Sequence, residues 1–211
     1  RRSRVSTNFP TSLDNTDSQK VTDGSSIIVA ALPNNLLDMV EALEAKVGAD
    51  SSAVATSIDF FIRKNYVKLS DVKSTNANGG TFTAGAWRTR TLNTEDSDAG
   101  GLCSLSSNQI TLAAGTYRCL ISAPAFGVGN HQARLYNTTG SAVLVAGTLE
   151  FSSNVAYAVT RSIISGQFTV AASQALEVQH YAESSRSTTG FGSGWTVGEG
   201  IFTVAEFWKL Y

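Results

Sequence analysis

The chain is poor in the residues that carry most protein chemistry: 211 residues hold two cysteines, two histidines, three prolines and one methionine. Cys103 and Cys119 are too few to build the disulfide framework of a small secreted domain. They read as small buried hydrophobes, with a single bridge as the alternative. No stretch approaches the roughly 20 apolar residues of a membrane span, so membrane insertion is not expected. No excess of either charge exists. Sixteen basic residues face seventeen acidic ones, a net charge of −1. That excludes the basic footprint of a nucleic-acid binder. The one basic cluster, Arg1, Arg2 and Arg4, reads as a solvated end. The start also lacks the apolar core of a signal peptide.

Catalytic constellations are missing as well. His131 and His180 both fall inside expected strands, and no Gly-x-Ser-x-Gly elbow precedes a helix, so a hydrolytic triad is not expected. Two cysteines sixteen positions apart and two distant histidines do not give a zinc spacing. Glu95, Asp96 and Asp98 sit in a glycine-flanked stretch but lack the spacing of an EF-hand. They read as an acidic surface turn. Glu150, Glu177, Glu183, Glu199 and Glu206 supply carboxylates that sequence alone cannot pair as a glycosidase requires. The expectation is a non-enzyme without metal or cofactor.

What is present is a change of periodicity along the chain. Residues 1–26 are polar and rich in Ser, Thr, Asp and Asn, an extended arm that orders against a partner. An apolar run, Ile27 to Leu32, is expected to stop at Pro33. Leu36, Val40, Leu43 and Val47 then follow at four-three-four spacing, the a/d seam of two heptads. Asn34 or Asn35 is the expected N-cap, and Gly48 the C′ residue. A second helical piece is expected after Asp50 or Ser51, with Val54, Ile58, Phe61 and Ile62 as its stripe. Helices this short are marginal alone, so the stripe must bury against something. Residues 70–80 are polar and end in two glycines, which places a domain boundary there.

From about residue 81 the pattern is β. Strands are expected at 81–91, 109–112, 115–123, 131–137, 142–148, 156–159, 162–170, 175–181 and 200–211, with glycine and asparagine turns between them. Leu176, Val178 and His180 alternate with Glu177, Gln179 and Tyr181. Phe202, Val204, Trp208 and Leu210 are read as one face of the last strand, with Glu206 the exception. The fold class is therefore mainly β: an antiparallel β-sandwich or jelly roll at 80–211, preceded by a helical oligomerisation segment at 34–72 and an extended arm at 1–33. The aromatic closing strand and the heptad stripe are both expected to meet other copies, through Leu36, Val40, Leu43, Val47, Phe207 and Tyr211. The loop 182–200 carries Phe191 and Trp195 between glycines with Arg186 nearby, and is the first candidate ligand site. The loop 126–130, with Phe126, is the second.

Three segments, Ile110-Thr-Leu-Ala-Ala-Gly-Thr-Tyr-Arg118, Ile121-Ser-Ala-Pro-Ala125 and His131-Gln-Ala-Arg-Leu-Tyr-Asn137, together resemble the C-terminal domain of bacteriophage tail-fibre-like proteins. Thr160-Arg-Ser-Ile163, Gly166-Gln-Phe-Thr169, Glu177-Val-Gln-His180 and Gly190-Phe-Gly192 extend the resemblance over roughly residues 86–211. The stretch from Leu43 to Ile58 looks like a linker motif of phage structural proteins. The strand order is similar to that of TNF/C1q-like trimeric jelly rolls. The resemblance implies a homotrimer in a virion, docked to other virion proteins through the N-terminal arm. It implies a C-terminal domain that attaches to a host-surface glycan or protein. A capsid decoration or head-fibre protein with a purely structural role is the alternative. A protein released with the particle on lysis would need no leader. No catalytic residue carries over.

Overall fold

The computed structural model describes residues 31–49, 52–54, 56–153, 158–171 and 174–210. The chain divides into two compact units, residues 1–64 and 65–211.

The first unit contains helices α1, Ala31–Val47, and α2, Ile58–Lys64. Pro33 does not stop a segment. It lies in the first turn of α1, where a residue without an N–H removes no intrahelical bond. Asn34 and Asn35 are consequently inside the helix and not its cap. At the other end Gly48 behaves as expected: its φ is +88°, and its N–H donates to Glu44 O at 2.8 Å. Ser57 caps α2, its Oγ accepting from Phe60 N at 3.3 Å. The expected cap positions, Asp50 and Ser51, lie outside the described residues.

The second unit is the expected antiparallel jelly roll. Its strands are β1 Tyr66–Lys73, β2 Arg88–Thr89, β3 Thr94–Ser97, β4 Cys103–Ser106, β5 Gln109–Leu112, β6 Gly115–Phe126, β7 Gly129–Asn137, β8 Ala142–Ser152, β9 Val159–Val170, β10 Gln174–Ala182 and β11 Gly200–Lys209. They run in the order β3-β1-β11-β6-β9-β8-β7-β10-β5-β4, with β2 on β10. One face of the sandwich is β3-β1-β11-β6-β9 and the other is β8-β7-β10-β5-β4. β8 joins them, pairing along β7 and meeting β9 at Gly147 and Ile164. A side chain at Gly147 would meet Ala133 O at 2.8 Å, so only glycine fits where the sheets converge.

The core lies between the faces. Val67 and Leu69 from β1, Tyr117, Cys119 and Ile121 from β6, Leu135 from β7, Ile164 and Phe168 from β9, Leu176 and Val178 from β10, and Phe207 from β11 are buried there. Alternation in β10 is as read from the sequence, with Leu176, Val178 and His180 inward.

Four expectations are corrected. The boundary is at Lys64/Asn65, not within 70–80. Residues 66–73 are a strand of the sandwich, because Val67 and Leu69 alternate with polar partners and pair with β11. Within 81–91 only Arg88–Thr89 is strand, and Phe82 makes a single bridge to Arg186. The acidic stretch is partly strand too: Thr94–Ser97 pairs with β1, while Asp98 turns the chain by accepting from Leu102 N and Cys103 N, both at 2.8 Å. Finally, β11 is turned over relative to expectation. Thr203, Ala205 and Phe207 face the core, and Val204, Glu206 and Trp208 face outward. Glu206 was the exception on a face that is not the inner one.

Candidate functional site

The loop 182–200 is held down by a buried cation. Arg90, fully buried, donates Nε–H to Thr203 Oγ1 at 2.8 Å, Nη1–H to Pro124 O at 3.0 Å and Nη2–H to Phe191 O at 3.0 Å. Its guanidinium lies 4.0 Å from the centre of the Phe191 ring. Burial pushes its pKa down to about 9. Phe191 in turn packs on Phe82 at 4.6 Å, in a small cluster with Ala125, Val128 and Ala182. Backbone bonds from Gly79 N to Gly192 O and from Phe126 N to Gly190 O pin the loop further. Gly192 is required here: its φ is +136°, and a Cβ would fall 2.2 Å from Phe202.

The candidate ligand residues of that loop therefore separate. Phe191 is an anchor inside the protein, not a surface contact, which corrects the sequence reading. Arg186 stands over the Phe126 ring, 5.1 Å from its centre. Trp195 is 73% exposed and does not fold back onto the sandwich. It borders a shallow hollow of about 150 Å³ with Val159, Arg161, Ile201 and Phe202. Phe126 and Arg186 are not among the residues lining that hollow.

The oligomerisation residues also divide. On α1, Leu36, Val40 and Leu43 are exposed and Val47 is half-buried. Phe207 is fully buried in its own sandwich, against Phe168, so it is withdrawn as an interface residue. The outward aromatic of β11 is Trp208, which packs on Tyr66 at 5.4 Å. Tyr211 lies outside the described residues.

A wider hollow borders the second face and was not read from the sequence. It holds about 430 Å³ and is lined by Trp87, Asn130, His131, Gln132, Leu149, Tyr181 and Glu183. Register builds it: β7 places Gln132 opposite both Tyr181 of β10 and Leu149 of β8. Trp87, just before β2, meets Tyr181 at 5.7 Å and a 59° angle. Arg134 supports Trp87 from 3.9 Å and gives Nε and Nη2 to Gln179 Oε1. Glu183 Oε2 accepts from Asn130 N at 3.0 Å and from Asn130 Nδ2 at 2.9 Å. The available signal was Tyr181, an aromatic at an outward position of an alternating strand. Trp87 had none, because its neighbour lies across the sheet.

His131, at the floor of this cleft, contacts His180 and Thr160 through its two ring nitrogens. Burial pushes its pKa down to about 4. Among the described residues no three His, Cys, Asp or Glu side chains are placed to hold a metal ion. No described helix is long and apolar enough to cross a membrane.

These two faces, with their connecting eighth strand, define a protein of the antiparallel jelly-roll class. Among solved structures the chain is similar to the globular domain of a zebrafish complement 1qA protein, with a TM-score of 0.47 at 15% identity over 70% of this chain and 98% of that one. It is similar to the PRD1 vertex protein P5, with a TM-score of 0.46 at 15% identity over 69% and 96%. Murine APRIL gives a TM-score of 0.44 at 12% identity over 69% and 98%. No family model matches the sequence, and no curated protein matches it either.

Proposed function

We propose that the protein is a homotrimeric structural component of a bacteriophage virion, a fibre whose β-sandwich attaches the particle to its host. The observation that carries this reading is the stripe on α1. Leu36 is 62%, Met39 69% and Leu43 64% exposed, with Val40 beside them. Burying a side chain of this size contributes roughly 1.5–3 kcal/mol, which these positions forgo among the described residues. Heptad spacing makes another copy of the same helix the natural cover. On α2 and before it, Ile62, Val54 and Ile58 repeat the pattern.

The sandwich supports the attachment half of the reading. Its surface offers two open hollows rimmed by aromatic side chains, on a scaffold of long paired strands. Threefold presentation raises avidity without new contacts. Other virion proteins would dock on the N-terminal arm. The role is binding rather than catalysis. What supports that is the burial of His131, whose two ring nitrogens are engaged by His180 and by the Thr160 hydroxyl within the fold.

Two measurements test it. Sedimentation equilibrium at micromolar concentration should give three times the 22.3 kDa chain mass; a stable monomer overturns the trimer. Fluorescently labelled protein should bind intact cells of some strains in a panel covering both bacterial envelope types. Binding to none leaves the structural head-fibre or decoration role in its place.

A further inference from the structure

We infer that the cleft between Trp87, Tyr181 and Leu149 is a binding site for an uncharged saccharide unit. The inference rests on the attachment reading above and names the ligand chemistry of that surface.

A pyranose ring offers an apolar C–H face and a rim of hydroxyl donors. The cleft matches both. Trp87 and Tyr181 meet at 5.7 Å and 59°, an angled aromatic wall, and Leu149, 70% exposed, is the apolar side chain across from it. At about 430 Å³ the cleft lies within the usual range of small-molecule sites, about 300–1,000 Å³. Tyr181 is 39% exposed and Trp87 half-buried, so aromatic surface stays open beside fixed polar groups.

The polar groups are held in place by the fold. Glu183 Oε2 is occupied by two donors from Asn130, at 3.0 and 2.9 Å, which fixes the carboxylate and leaves Oε1 for a ligand. Gln132 commits one Nε2–H to Gly147 O at 2.8 Å, which fixes the amide and leaves its carbonyl oxygen and second N–H for the cleft. His131 has both ring nitrogens engaged, with His180 at 2.9 Å and Thr160 at 2.8 Å.

The nearby cation does not change this balance. Arg134 stacks on Trp87 at 3.9 Å and on Tyr136 at 4.5 Å, and two of its nitrogens serve Gln179 Oε1. An anionic ligand would find a carboxylate and no ion-pairing donor. A cationic one would sit against a ring that already carries a guanidinium. Hydroxyl donors on a neutral ring fit both constraints.

The test titrates the full chain with methyl glucoside, methyl galactoside and N-acetylglucosamine up to 50-millimolar scale concentrations (roughly, the range for a single shallow site). Binding is read by tryptophan fluorescence and by saturation-transfer NMR. N-acetylneuraminic acid and choline are the charged probes. At least one neutral probe should bind saturably and the charged ones should not. Tyr181→Ala and Glu183→Gln, both at exposed positions, should each weaken that binding at least tenfold while circular dichroism stays unchanged. Trp195→Ala, in the other hollow, should leave it intact.

Absence of saturable binding by all three neutral probes overturns the inference. So does tighter binding of either charged probe, or affinity that survives both cleft substitutions. The same variants applied to whole cells keep the two readings apart. Cells that still bind Tyr181→Ala and Glu183→Gln retain attachment and remove the cleft. Wild-type protein that binds the sugar but no cell retains the cleft and removes attachment.

Discussion

His131 Nδ1 lies 2.9 Å from His180 Nε2, and the two rings meet edge to face inside the sandwich. A hydrogen bond between two imidazoles needs one donor and one acceptor, so at least one ring of the pair must be neutral. Desolvation holds both below their ordinary value. His131 falls to about 4, and His180, with Arg90 and His131 adding repulsion, falls well below 6.5. Phe82 packs on His180 at 4.9 Å with the rings tilted by 57°, so the pair sits under the anchored loop.

The sign of the pH dependence follows. Both folded-state values are depressed, so the unfolded chain binds protons first as pH falls. Stability from the pair is complete above about pH 6.5 and is lost progressively toward pH 4, at about 1.4 kcal/mol per pH unit for His131. Urea unfolding across that window should show the loss, and a His131→Gln/His180→Gln variant should show less of it. Equal slopes for the two proteins would remove the pair as its source.

Arg90 should be irreplaceable by a smaller cation. Arg90→Lys keeps a charge but satisfies at most part of the set Thr203 Oγ1, Pro124 O and Phe191 O. The cost should be on the order of 3 kcal/mol. Limited proteolysis should then cut within 182–200 under conditions where wild type is resistant. An unchanged melting temperature and digestion pattern would contradict the anchoring role.

The α1 stripe should act through association alone. Leu36→Glu/Leu43→Glu places charges where two exposed leucines stand, so the sandwich should keep its near-ultraviolet circular dichroism. The sedimenting mass should drop, and the melting temperature should become independent of protein concentration. A trimer that persists in this variant would move the contact elsewhere, for example to the outward face of β11 around Trp208.

Neither thiol should react in the folded protein. Both cysteines are free, and burial pushes Cys103 up to about 12 and Cys119 up to about 11. An aromatic disulfide reagent at pH 8 should label two thiols per chain in denaturant and almost none natively. Fast native labelling would show that the sandwich opens around β4 or β6.

Much of the β unit was legible because it is written locally. Leu176, Val178 and His180 alternate strictly, and β10 has that alternation inside. Ala114 and Gly115 mark the turn that separates β5 from β6. Segments with weaker patterns were not legible. β1 sits beyond a helix and β3 is acidic; each is strand because of the neighbour it pairs with. The inner face of β11 was misread because both of its faces carry large apolar residues, and alternation then has no preferred phase.

By itself the sequence determined the change from a 3.6-residue to a two-residue period, the heptad stripe of α1 and the class of the sandwich, since each depends on residues a few positions apart. Only the tertiary structure decided that Phe207 and Phe191 are core while Trp195 is surface. The fold also brought Trp87 to Tyr181, and Arg90 to Thr203. Those pairs are joined by strand register across the sheets, a property of the whole packed set of strands that no single stretch of chain encodes.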